Sequence, residues 1–212
     1  METKFTISEV LSASWAALKS QIWILVGLFI GYVILYLVFT MLLAPAMGSV
    51  AISIIINLIL CVISLIFTLG YIKNLFQALD GEEPQFSAYG QQARKIGTYF
   101  VAGLISGILI LIGTLLLIIP GVYIALRLQF YVALIVEEDA GIIESLQKSW
   151  DMTKDQVLPL LLLALVMLGI CIAGFILLGV GIFVAYPLIM LMQCCVYRKL
   201  NSPLNSIEVG EE

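Results

Sequence analysis

Residues 22–43 read IWILVGLFIGYVILYLVFTMLL, with no charge anywhere in the run. At about 1.5 Å per residue, a helix of this length crosses a hydrocarbon core of about 30 Å. Five more apolar runs follow, at 49–72, 98–119, 121–136, 157–178 and 181–196. The 212 residues are 62% hydrophobic and 11% charged, too little polar surface to solvate a globule. The sequence therefore predicts one all-α integral membrane domain, residues 1–212, with six transmembrane helices in three hairpins. The turns are expected at Ala44-Pro45-Ala46-Met47-Gly48, at Pro120-Gly121 and at Gly179-Val180-Gly181, where Pro and Gly interrupt helix without adding charge. Ala44-Pro45-Ala46 follows an apolar run about twice as long as a signal-peptide core, so the first span is expected to be retained.

The positive residues set the expected orientation. Lys4, Lys19, Lys73, Arg94, Lys95, Lys148, Lys154, Arg198 and Lys199 all fall outside the spans, in the N-terminus, the two long linkers or the C-terminus. The three tight turns carry no charge. Cationic loops stay cytoplasmic, so both termini are expected in the cytoplasm and the chain in the inner (plasma) membrane. The 14 acidic residues lie on that same side.

A short pattern occurs twice, as EVLSASWAALK at 9–19 and ESLQKSWDMTK at 144–154, each time leading into an apolar run. On a helix, Leu11, Trp15, Leu18 and Ile22 form one stripe, repeated by Leu146, Trp150, Thr153 and Val157. Both copies read as amphipathic helices in the cytoplasmic interface, anchored by Trp15 and Trp150 at the headgroup level. Thr6 and Glu9 stand at capping-box spacing before the first copy, with Phe5 and Val10 placed for a hydrophobic staple. A weaker third version has Tyr89, Ala93 and Ile96, with Ser87 as a candidate cap. The chain reads as three units of interfacial helix plus hairpin, all entering from one side, an internal parallel repeat.

Residues 117–156, LIIPGVYIALRLQFYVALIVEEDAGIIESLQKSWDMTKDQ, resemble the hallmark segment of a six-helix bacterial integral membrane family of unknown function. The broad group includes the membrane domain fused to some glycerophosphoryl diester phosphodiesterases. Pro120, Gly121, Arg127, Glu137, Glu144, Leu146 and Ser149 carry the match, and residues 70–87, GYIKNLFQALDGEEPQFS, resemble the group's linker after the second span. The resemblance implies a shared membrane fold and says almost nothing about activity. Phosphodiesterase activity is not expected, because a catalytic barrel of about 250 residues has no room after the last span.

Candidate functional residues are few. Ser53, Asn57, Cys61, Ser64 and Thr68 line one face of the second span, a polar seam suited to interhelical hydrogen bonds or, more sharply, to a substrate path. Gly27 with Gly31 and Gly103 with Gly107 have GxxxG spacing for close helix packing. Asn57, Arg127, Gln129 and Gln193 are the candidates for a polar path or ligand contact. Arg127, seven residues after Pro120, is the one charge inside a span, some 10 Å below the outer boundary at an insertion cost of about 2.5–3.5 kcal/mol. It is expected to snorkel outward to phosphates or to the carbonyls around Ile118 and Ile119; the competing reading is an anionic ligand.

Glu137-Glu138-Asp139 is expected to start the next helix and stay hydrated. Cys61 and Cys171 read as small apolar residues, and Cys194 and Cys195 are conceivable lipidation positions. No His occurs in the chain, which removes the commonest general base and metal ligand. No catalytic residues, metal site or cofactor are expected. The net charge of −4 comes with no basic tract, so nucleic acid is not an expected partner. The leading expectation is a non-enzymatic membrane protein packing with lipids, partner membrane proteins or further copies of itself, in envelope homeostasis or as a scaffold. A small-solute or lipid transporter or channel is the alternative, and a lipid-modifying enzyme ranks third for want of a reactive cluster. Reporters fused after Glu212 or inserted at Asp80 should be active in the cytoplasm and one at Gly48 outside; an external C-terminus would remove a span.

Overall fold

The computed structural model describes residues 4–43, 50–176 and 179–208, with only the backbone for 203–208. All regular structure among them is helical: α1 (Ile7–Ser20), α2 (Ile22–Leu43), α3 (Val50–Leu79), α4 (Ser87–Gln92), α5 (Ile96–Leu116), α6 (Ile118–Leu128), α7 (Tyr131–Glu138), α8 (Ile142–Met152), α9 (Val157–Ile176) and α10 (Ile182–Glu208). A 3-10 turn, Ala93–Lys95, joins α4 to α5. Six helical stretches are long and apolar enough to cross a membrane. The predicted turn at 44–48 lies outside the described residues.

The spans differ from expectation in four places. The second span runs on to Leu79 and the last to Glu208, because their polar continuations stay helical; Asn74, Leu75 and Phe76 of the one and Tyr197, Leu200 and Asn201 of the other are buried against the bundle. The fourth span is two helices, broken at Gln129-Phe130. The hairpin between α5 and α6 turns at Leu117, which is extended at φ −164° and ψ 149°. Pro120 and Gly121 sit instead inside the first turns of α6, where proline lacks only an N–H that has no intrahelical partner. The α9–α10 hairpin turns where expected, with Gly179 at φ +75° in the region that favours glycine.

Glycines let the hairpin helices cross. A Cβ at Gly121 would lie 2.8 Å from the Thr114 backbone nitrogen, and one at Gly113 would lie 3.1 Å from the Gly121 backbone. Gly174 and Gly181 meet in the same way, at 2.8 Å between a Gly181 Cβ and the Gly174 Cα. Gly70 on α3 admits Tyr89 of α4 just as closely.

The packed core is confined to one end of the bundle. Val10 and Leu18 of α1, Tyr71, Leu75 and Phe76 of α3, Leu134 and Ile135 of α7, and Leu191, Tyr197 and Leu200 of α10 are buried together there. α2 buries only Leu25. At the other end Leu42, Leu115 and Ile119 are exposed, Ile119 at 81%. Such a surface is unfavourable in water and matched to lipid. Aromatic contacts tie α2 to its neighbours: Tyr32 stacks on Phe67 at 3.9 Å, Phe29 on Tyr186 at 4.2 Å, and Tyr71 Oη donates to the Leu25 carbonyl at 3.1 Å.

The glycine crossings make a contrast. Gly121→Ala should destabilise the detergent-solubilised protein by about 1–3 kcal/mol through overlap with Thr114. Gly31→Ala, which meets nothing within 4 Å, should leave the melting temperature unchanged or higher, since alanine favours helix. Equal melting of the two variants would refute the crossing geometry.

Candidate functional site

The polar end is organised by the loop after α7. Asp139 closes α7 in the left-handed conformation, φ 55°, which Asp tolerates better than most residues. Glu137 accepts from Arg198 at 2.6 Å, and Arg198 also holds Asp80 at the end of α3. Glu138 accepts from Tyr197 Oη at 2.7 Å, pairs with Lys148 at 3.2 Å and bonds Asn201. Asp139 pairs with Lys95 at 2.6 Å and Arg94 at 3.1 Å. The buried Lys95 ammonium also donates to the carbonyls of Ile135 and Val136, 2.9 Å each, satisfying the end of α7. The expectation of a merely hydrated acidic turn is thereby corrected, since three consecutive carboxylates reach separate cationic partners. No group of three or more metal-ligating side chains is present among the described residues.

The break in the fourth span is sealed by α8. Helix interruption frees the Arg127 carbonyl, and it accepts from Ser149 Oγ at 2.9 Å and Thr153 Oγ1 at 3.2 Å. Ser149 Oγ in turn takes the Phe130 N–H at 3.2 Å, and Gln129 Nε2 donates to Leu126 O at 3.1 Å. These are the partners a broken helix needs where water is scarce. Ser145, Leu146, Ser149, Met152 and Thr153 are buried on α8, so Leu146 and Thr153 of the expected stripe face the core while Trp150 lies at its edge. On α1 the buried residues are Val10, Ser14 and Leu18, with Leu11 and Ile22 of the expected stripe packed against the core and Trp15 at the edge. Trp15 and Trp150 are each more than a third exposed beside these faces.

Arg127 is not oriented as expected. Its guanidinium lies over the Trp150 ring, 4.4 Å from the centroid, with Tyr123 at 5.7 Å. It makes no hydrogen bond to carbonyls around Ile118 or Ile119. The α8–α9 elbow comes close enough to α6 to offer an aromatic face, which sequence spacing does not reveal. The guanidinium opens on a recess of 660 Å³ also lined by Asp151, Lys154 and Asp155.

The four polar-path candidates separate. Gln129 and Gln193 line one internal cavity of 190 Å³ with Thr68, Tyr99 and Tyr186. Asn57 is exposed and donates to its own helix at Ser53 O, 2.8 Å. Along the second-span seam Ser64 and Thr68 also bond carbonyls four residues back, and Ser64 reaches across to Tyr32 Oη at 2.9 Å. Gly103 approaches Tyr131 Oη, whereas Gly27, Gly31 and Gly107 meet nothing within 4 Å; the first two line an open apolar groove. Cys194 and Cys195 are buried, so neither thiol is presented for acylation. Thr6 caps α1 through the Glu9 N–H at 3.4 Å, while Ser87 bonds Gln85 and caps nothing. Sequence reading missed Gly70 and the role of Ser149 and Thr153 in sealing the break; the i, i+4 spacing of these two hydroxyls on an amphipathic helix was the available signal.

Residues 86–207, more than half of the chain, match the family model described as Domain of unknown function (DUF7847). The chain belongs to DUF7847. The matched segment runs from α4 into α10 and holds the acidic loop, the sealed break and the Arg127 recess. The uncharacterized protein Rv2560 of Mycobacterium tuberculosis and the uncharacterized protein Mb2590 of Mycobacterium bovis are each 28% identical to this DUF7847 chain over 139 residues. That stretch is 66% of this chain and 42% of each relative, so the chain spans less than half the length of the curated relatives it matches. No solved structure matches.

Four carboxyls at the polar end are held below their ordinary values. Lys95 lowers Asp139, Arg198 lowers Asp80, Lys199 lowers Glu9, and the Gly141 N–H lowers Glu144. The unfolded chain therefore takes up protons before the folded one as pH falls. Their stabilisation is fully present above the ordinary values of 3.8 and 4.5 and is lost below them. Melting temperature in detergent should be level from pH 7 to about 5.5 and fall below about 4.5. Asp139→Asn should weaken that fall, and a pH-independent melting curve would contradict it.

Proposed function

We propose that this chain is a non-catalytic, multi-pass protein of the cell inner membrane, both termini cytoplasmic, that packs with lipids or partner membrane proteins, or with further copies of itself. The observation that carries this reading is the division of the bundle. One end spends its charged groups on one another, in the network around Glu137, Glu138 and Asp139, while the other exposes apolar side chains around α2, α3, α5 and α9. A surface of that kind engages acyl chains or other helices. A scaffold or envelope-homeostasis role fits such a surface. The resemblance to phosphodiesterase-fused membrane domains rests on Pro120, Gly121, Arg127, Glu137, Glu144, Leu146 and Ser149, and supports a common membrane fold and nothing about a reaction.

A second reading, a small-solute or lipid transporter, draws on the Gln129–Gln193 cavity. Purification in mild detergent tested beside flux from proteoliposomes separates the two. The primary reading expects co-purifying membrane partners or lipid and no flux above protein-free vesicles. Solute flux that Gln193→Ala abolishes would transfer the assignment to transport.

A further inference from the structure

The acidic side chains at the polar end leave one arginine out. Arg94 and Arg198 hold carboxylates. Arg127, only 5% exposed, holds none among the described residues, and its buried Nε has no hydrogen-bond partner. A buried guanidinium stacked on Trp150 is held in place with its N–H donors unspent, the arrangement that suits an oxyanion.

The rest of the recess defines what that oxyanion is attached to. Lys154 adds a second cation, but Asp151 and Asp155 line the same space. Two positive and two negative side chains suit a zwitterion better than a simple anion, which the carboxylates would repel. Beyond the charges the lining becomes apolar, with Val157, Leu158 and Leu161 on the first turns of α9. Trp150 and Tyr123, in edge contact at 5.9 Å, are the residue types that favour the headgroup level of a bilayer. The volume of 660 Å³ exceeds that of a bare phosphate and admits a headgroup with the start of its acyl chains.

We propose that the recess between α6 and the α8–α9 elbow binds a glycerophospholipid with an ethanolamine headgroup. Arg127 and Lys154 take the phosphate, Asp151 and Asp155 take the ammonium, and α9 receives the acyl chains. The site rests on the membrane reading above and supplies it with a specific lipid.

The test uses the full chain in mild detergent with Trp15→Phe and Trp23→Phe, leaving Trp150 as the only tryptophan. Phosphatidylethanolamine, phosphatidylcholine and phosphatidylglycerol are titrated separately, as are inorganic phosphate and O-phosphoethanolamine, with Trp150 emission and melting temperature as readouts. Phosphatidylethanolamine should saturate the emission change and raise the melting temperature. Arg127→Gln and Arg127→Lys should each weaken binding about tenfold, since a guanidinium fork is lost in both. The double variant Asp151→Asn, Asp155→Asn should lose the preference for ethanolamine over glycerol headgroups.

Parent-like binding by Arg127→Gln, or equal binding of all three lipids, overturns the proposal. So does saturation by either soluble phosphate compound at the lipid's concentration, which would make this a free phosphate-ester site. Should the Arg127 variants not fold, Lys154→Gln and Asp155→Asn carry the test, and unchanged binding in both overturns it. Membrane fractions washed at alkaline pH keep the two readings apart. A retained chain without Arg127-dependent binding defeats the site alone, whereas release into the wash defeats the membrane reading beneath it.

Discussion

Two of three adjacent carboxylates, Glu137 and Glu138, are largely withdrawn from water and need partners there, and meeting all three ties this end of the bundle together. Glu137 draws in Arg198 of α10 and through it Asp80 of α3. Glu138 draws in Lys148 of α8, and Asp139 draws in Arg94 and Lys95 before α5. Individually, exposed pairs of this kind contribute about 0–1 kcal/mol. Their importance here is geometric, because they join the end of α7 to α3, α8, α10 and the 3-10 turn before α5. Lys95 adds the buried anchor, its ammonium shared between a carboxylate and two helix-end carbonyls.

Below that end the balance of forces changes. Helices surrounded by lipid gain little from hydrophobic burial, so close approach at small residues takes over. Gly113 against Gly121 and Gly174 against Gly181 tighten two hairpins, and aromatic stacking of Tyr32 on Phe67 and Phe29 on Tyr186 serves α2, which has almost no buried face. The chain is therefore packed like a soluble protein at its charged end and like a membrane bundle elsewhere.

Most of the architecture was legible in the residues. Apolar run length located six spans, glycine marked the α9–α10 turn, and Thr6 announced the start of α1. What escaped was everything decided between distant positions. Gly27-Gly31 has the spacing of a close-packing pair yet meets nothing, whereas Gly113 and Gly121, eight positions apart and on different helices, meet across a hairpin. Glu137, Glu138 and Asp139 read as hydrated because their partners lie between 10 and 63 positions away. The break at Gln129-Phe130 carries neither Pro nor Gly, the residues that announce helix interruption, and exists because Ser149 and Thr153 are there to receive it. For the same reason the Trp150 ring that receives Arg127 went unseen.

That sealed break makes α8 a structural part of the fourth span. Ser149 lies 19 residues beyond Phe130, and Thr153 lies 26 beyond Arg127, so the interrupted backbone is satisfied only when the later helix is docked. Lifting α8 away leaves a carbonyl and an N–H without partners, at about 1–3 kcal/mol for each buried group, unless α6 and α7 join into one continuous helix. The seating of α8 and the interruption of the span are therefore one coupled feature, and a change that loosens the first favours straightening of the second.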